Sequence, residues 1–166
     1  MRKQQVLWLF ALTVLLFAPI FSIAVTMQPK PPIYAEASTP SDRIVRTDSG
    51  VELLPSQNTD GYGEGGLAYR IYNQSETTYR YLTEGGAIEV LQDGIWYQLK
   101  ELRELHPGDW NTGNLFPDEL DWGVIFSYED LYGLLPPGHY RVLNNIWPIG
   151  YINDAFWIAL EFDVAE

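Results

Sequence analysis

"AFWIALEFDV", Ala155 to Val164, alternates without a break. Phe156, Ile158, Leu160, Phe162 and Val164 fall on one side of an extended chain, and Trp157, Ala159, Glu161 and Asp163 on the other. Successive side chains of a strand point to opposite faces, so this period of two predicts a strand with a core face. The other face carries an indole and two carboxylates toward solvent or a neighbour.

The same signal recurs along most of the chain. "IEVLQDGIWYQL", Ile88 to Leu99, is the clearest hairpin, because Asp93-Gly94 supplies the positive φ angles that a two-residue turn demands. "GLAYRIYNQS" (Gly66 to Ser75), "TYRYLT" (Thr78 to Thr83), "ELDWGVIFS" (Glu119 to Ser127) and "GHYRVLNNI" (Gly138 to Ile146) add further strands. Ile44 to Leu54 contributes one or two more, weakly patterned, around "GVELL". A helical period fits none of these segments, and "YEDLYGLL" has room for a single turn. Seven or eight short strands separated by Gly, Pro, Asn and Asp predict an all-β, two-sheet antiparallel sandwich with a core about 10 Å thick.

The start of the chain differs. Arg2 and Lys3 precede Val6–Val25, 20 residues without a charge. A basic start and an apolar run of this length predict an export signal or an N-terminal membrane anchor helix. Cleavage after Ala24 ("SIA") or after Ala37 ("AEA") would release the chain, and without cleavage it stays anchored with the remainder outside. "TMQPKPPIYAEASTPSD", Thr26 to Asp42, holds four prolines and reads as an extended linker. The expected organisation is a leader plus Pro-rich linker over residues 1–37 and one sandwich domain over residues 38–166.

Composition narrows the function. Beyond Ala37 the chain has 7 basic and 21 acidic residues, a net charge of −14, which sets nucleic acid and anionic lipid aside as partners. With no cysteine, an exported domain must hold by core packing alone, and thiol catalysis and thiolate metal sites are excluded. Such a chain suits a bacterial envelope.

"LYGLLPPGHYRV", Leu131 to Val142, raises a separate question. Pro137 presets φ and Gly138 tolerates a positive φ one position later, which predicts a type II turn before a strand starting at His139. Leu131, Leu134 and Leu135 would pack beneath the sandwich edge. The succession "YRIYNQSETTYRY", "IEVLQDGIWYQL", "LYGLLPPGHYRV" and "FWIALEFDV" resembles the immunoglobulin-like domains of surface and secreted proteins of Gram-positive bacteria, over about Val51 to Val164. The resemblance implies an immunoglobulin-like sandwich outside the cell, serving as a binding or structural module. It brings no catalytic residue and no cofactor.

Candidate chemistry is sparse. Asn58, Asp60 and Glu64 lie among glycines in "QNTDGYGEGG", where oxygen ligands could suit calcium, but the alternating carboxylates of a calcium loop are missing. An inter-strand loop is the plainer reading. His106 and His139 belong to no metal or hydrolase motif. Glu129-Asp130 and Asp118-Glu119 are adjacent pairs, which on a strand point apart and cannot flank one bond of a hydrolase substrate. The segment from Lys100 to Gly123, about 18 residues of it without a clear strand, is the place to seek binding. Trp110, Asn111, Asn114 and Phe116 there offer aromatic rings and amides to a sugar or peptide. The alternative is that Trp110 and Phe116 fold back to cap the sandwich end, and Trp147 and Tyr151 pose the same choice. The expected function is a non-catalytic module engaging a surface protein or cell-wall polymer. A carbohydrate- or calcium-dependent recognition domain, or a cryptic carboxylate hydrolase, stand as alternatives.

Overall fold

The structure, a computed structural model, describes residues 31–56, 62–63, 66–83, 86–102 and 111–165. The apolar run Val6–Val25, the loop residues Asn58, Asp60 and Glu64, and also His106 and Trp110, lie outside the described residues. Within them the chain is all-β, with eleven strands in two antiparallel sheets, one single-turn helix and one 3-10 turn. No helix among the described residues is long and apolar enough to cross a membrane.

The first sheet contains β1 (Ala37–Pro40), β5 (Tyr79–Leu82), β6 (Ala87–Gln92), β7 (Ile95–Leu99), β8 (Thr112–Leu115), β10 (Gly138–Pro148) and β11 (Phe156–Val164). The second is built on β4 (Gly66–Asn73). One edge of β4 pairs with β9 (Leu120–Ser127), and the other is shared by β2 (Val51–Pro55) and β3 (Tyr62–Gly63). Eleven strands exceed the seven or eight that the pattern predicts because β1, β3 and β8 are short and carry no apolar alternation.

Alternation decides what each strand buries. Leu67, Tyr69 and Ile71 of β4, with Val51 and Leu53 of β2, meet Tyr79, Tyr81, Ile88, Val90, Tyr140, Val142, Ile146, Phe156 and Ile158 of the first sheet in one core. Burying such an aliphatic or Phe side chain contributes about 1.5–3 kcal/mol, and a chain without cysteine has no disulfide to add to it. The core face read from "AFWIALEFDV" holds. Phe156 and Ile158 are buried, and Leu160, Phe162 and Val164 pack against the same cluster. The β6–β7 hairpin also folds as read, with Gln92 opposite Ile95 and positive φ at both Asp93 (50°) and Gly94 (80°).

The eleven-residue β10 organises the first sheet. One edge pairs with β11 from Gly138 to Ile146. The other edge changes partner, taking β6 at Tyr140–Leu143 and β5 at Ile146–Pro148. Asn144 sits at the break, fully buried. Its amide donates to the Leu82 carbonyl (2.8 Å) and its oxygen accepts from the Leu82 N–H (3.2 Å), so a side chain stands in for a strand neighbour. The same amide reaches Tyr69 Oη across the core at 3.1 Å.

The chain enters β10 through the corner that the prolines announce, but not by a type II turn. Helix α1 (Glu129–Tyr132) ends at Gly133, which takes the positive φ (87°), whereas Gly138 has none and already pairs with Val164 as the first residue of β10. The left-handed residue of this corner is the one that ends the helix, not the one that follows the prolines. Leu131 and Leu135 are buried as expected, and Leu134 is half-buried. The Tyr140 hydroxyl then donates to the Pro136 carbonyl, four residues back, at 2.7 Å, and pins the corner to the strand it feeds.

The N-terminal stretch of the described chain is part of this framework. Ala35 N–H donates to Leu134 O (2.7 Å) and Leu134 N–H to Ile33 O (2.8 Å). Inside the stretch that reads as a linker, β1 pairs with β7. Residues 41–46 then cross the outer face of the sheet. Ser41 N–H bonds to Trp96 O on β7, and Arg46 N–H bonds to Trp157 O on β11, both at 2.8 Å. We call this crossing the strap.

Candidate functional site

The outer face of the first sheet is divided. Its lower half lies beneath the strap, where Glu89 of β6 is 0 % exposed although it sits on the face opposite the core residues Ile88 and Val90. Both carboxylate oxygens are engaged. Oε1 accepts from Ser41 Oγ (2.5 Å) and Arg43 Nη1 (2.9 Å), and Oε2 accepts from Arg141 Nε (2.7 Å) and lies 2.5 Å from Arg141 Nη2. Each guanidinium also stacks on an indole, Arg43 over Trp157 (5.0 Å) and Arg141 over Trp96 (4.4 Å). The strap is therefore held by a buried ion triad and the Arg43–Trp157 contact, while Arg141 on Trp96 ties together the strands beneath it.

Beyond the strap, one row of side chains on this face reaches solvent. Arg80 of β5 lies between Tyr79 and Tyr81, both core residues, so it points outward. Trp147 of β10 is its partner on one side and Asn114 of β8 on the other. Ile146 and Leu115 are fully buried, which turns Trp147 and Asn114 to the same outer face. Three adjacent strands thus present an indole, a guanidinium and an amide in one row. Arg80 Nε donates to Asn114 Oδ1 at 3.4 Å, a long bond that orients the guanidinium and leaves its terminal nitrogens toward solvent.

Phe116 extends this row beyond β8 and is 54 % exposed. Its backbone is fixed from both sides. Its N–H donates to Glu119 Oε2 (2.6 Å), its carbonyl accepts from the Glu119 N–H (3.2 Å), and buried Asn73 donates to the same carbonyl (3.0 Å). The strand itself depends on Gly113, where a Cβ would lie 2.6 Å from the Tyr81 ring. Any side chain there would push β8 off the sheet.

Two other places gather polar side chains or a cleft. At the far end of the same face His139 bridges two carboxylates of β11, with Nδ1 2.6 Å from Asp163 and Nε2 3.0 Å from Glu161. Hydrogen bonds to Asp163 and then Glu161 hold its pKa above the usual imidazole value. No group of three His, Asp or Glu side chains among the described residues is placed to hold a metal ion. A cleft of about 230 Å³ lined by Ile33, Tyr34, Glu36, Lys100 and Leu102 is smaller than the roughly 300–1,000 Å³ of ligand pockets.

Of the four residues that the sequence singles out for binding, the structure brings Asn114 and Phe116 to the open half-face. Asn111 is exposed just before β8, where its carbonyl accepts from the Thr83 N–H at 2.9 Å, and Trp110 lies outside the described residues. The surrounding segment is not all loop, since it contains β8 and the start of β9. Arg80 is missed by sequence reading, and Trp147 is met only as an undecided aromatic. The available signal was "TYRYL", in which two tyrosines flank the arginine and place it on the opposite face.

No family model matches the chain, and no curated protein matches it. Among solved structures, the chain is similar to the ASH / PapD-like domain of human CEP192 (PapD-like domain 7), at 13 % identity and a TM-score of 0.34, over 86 % of this chain and 97 % of that one.

Proposed function

We propose that the chain is a non-catalytic recognition module of immunoglobulin-like architecture, displayed outside a bacterial cell on an N-terminal leader or anchor. Two features support the architecture. The sheets group β2, β4 and β9 against β6, β7, β10 and β11, which corresponds to the A-B-E and G-F-C-C′ division of such sandwiches. The Tyr140–Pro136 bond lies where those folds pin the corner before their penultimate strand. The charge-free run Val6–Val25 behind Arg2 and Lys3 supports export.

The observation that carries recognition is the divided outer face. The chain covers one half with its own strap and leaves Trp147, Arg80, Asn114 and Phe116 together on the other. Aromatic rings beside hydrogen-bonding groups on rigid strands suit a surface protein or cell-wall polymer. The test is co-sedimentation of the full-length protein with a bacterial cell-envelope fraction. Saturable binding lost in Trp147→Ala and Arg80→Ala, both still unfolding cooperatively above the assay temperature, is expected. Binding indifferent to both substitutions removes the face, and an intact-cell protease assay that never reaches the domain removes the location.

A further inference from the structure

We infer that the open half-face is a subsite for a carboxylate-bearing sugar, with Arg80 holding the carboxylate and Trp147 the ring. This rests on the recognition reading above and goes beyond it by fixing the chemistry of the ligand.

Charge gives the first argument. The domain is strongly acidic, and its described cations are mostly occupied. Arg43 and Arg141 share Glu89, Lys100 lies 3.8 Å from Glu36, Arg70 is buried, and Arg46 covers the Phe156 ring at 4.4 Å. Arg80 is different. It is exposed in the middle of a sheet face, no carboxylate among the described residues pairs with it, and its one bond is to a neutral amide. That bond occupies Nε and leaves the terminal nitrogens as a fork, the geometry that takes a carboxylate with two parallel hydrogen bonds. The ligand supplies the missing anion.

Shape gives the second. Neighbouring strands lie roughly 4.8 Å apart, so the row Trp147–Arg80–Asn114 spans about 10 Å, the size of one pyranose ring with a substituent. Arg80, Asn114 and Phe116 are exposed and Trp147 is half-buried, so a ligand can reach the row along its length. An indole offers a surface for the C–H side of a sugar, and Asn114 offers both a donor and an acceptor for a ring hydroxyl. The −14 charge beyond Ala37 selects further, because a dense polyanion would be repelled along its whole length. A saccharide with spaced carboxylates is not, since charges beyond roughly 8 Å are screened at physiological salt.

The test is titration calorimetry and side-chain NMR on the full-length protein, with a hexasaccharide of alternating glucuronic acid and N-acetylglucosamine as probe. Its carboxyl-reduced, neutral counterpart is the control. Saturable binding of the acid form is expected, with shifts at the Arg80 guanidinium and the Trp147 indole. Arg80→Gln should weaken it roughly ten- to hundred-fold, and carboxyl reduction should weaken it by a similar factor. Equal binding of acid and neutral forms, or an unchanged affinity in Arg80→Gln, overturns the carboxylate assignment. If neither saccharide binds while envelope binding still depends on Trp147, the sugar inference falls and the recognition reading stands. If envelope binding is also absent, both fall.

Discussion

Neutralising Glu89 should unfasten the strap. Glu89→Gln keeps the volume but removes the charge shared by Arg43 and Arg141, and its new amide NH₂ must face one of the guanidinium groups. Glu89 is 0 % exposed, and the side chains of Arg141 and Arg43 are 12 % and 21 % exposed, so water cannot replace the lost acceptor. Stripping one partner from a buried ion pair costs about 3–5 kcal/mol. For a domain of this size that corresponds to a melting temperature about 10–20 °C lower. Arg43→Met leaves Arg141 paired with Glu89 and should cost less, about 1.5–3 kcal/mol. Hydrogen exchange supplies the local readout. The amides of Ser41 and Arg46, bonded to Trp96 and Trp157, should lose protection in Glu89→Gln while those of β10 keep theirs. Equal losses of stability in the two variants would refute the asymmetry, and retained protection at Ser41 and Arg46 would refute the pinning itself.

Tyr140→Phe removes the bond to Pro136 and should lower stability by about 1 kcal/mol, seen as a shifted urea midpoint at unchanged slope. Asn144→Leu leaves the N–H and C=O of Leu82 without their side-chain partner inside the core, and should lower stability by about 2–4 kcal/mol in the same assay. His139 is held above its ordinary pKa by Asp163 and Glu161, so its protonated form is favoured by folding. Its contribution is fully present below the unfolded pKa near 6.5 and fades as pH rises through the higher folded value. His139→Gln should therefore melt lower than wild type at pH 5.5 and level with it at pH 9.

The hairpin and the last strand were legible because their signals are local. Asp93-Gly94 needs only its own two φ angles, and the alternation from Phe156 to Val164 reports a core on one side. By contrast, β1 buries no side chain and contributes only its backbone to β7, so "ASTP" has no apolar period to read. In β8, "TGNL" contains a single core residue, Leu115, and a glycine required by Tyr81, neither of which marks a strand. Gly138 misled because a proline pair before glycine satisfies turn chemistry locally, whereas the positive φ of this corner falls at Gly133. The recognition face needed register. Residues 80, 114 and 147 meet only when three strands distant in sequence are laid side by side. Glu89, on the outer side of an obvious hairpin, reads as solvated until the strap is seen to cross it.

The strap also implies an order of assembly. Its partners come much later in the polypeptide, Glu89 being 46 residues beyond Arg43 and Trp157 following a further 68 residues on. A chain emerging from its N-terminus would release this segment first and dock it last, once β10 and β11 had joined the sheet. Until then it stays an unprotected tether, and a protease supplied during refolding should nick it before any other described segment.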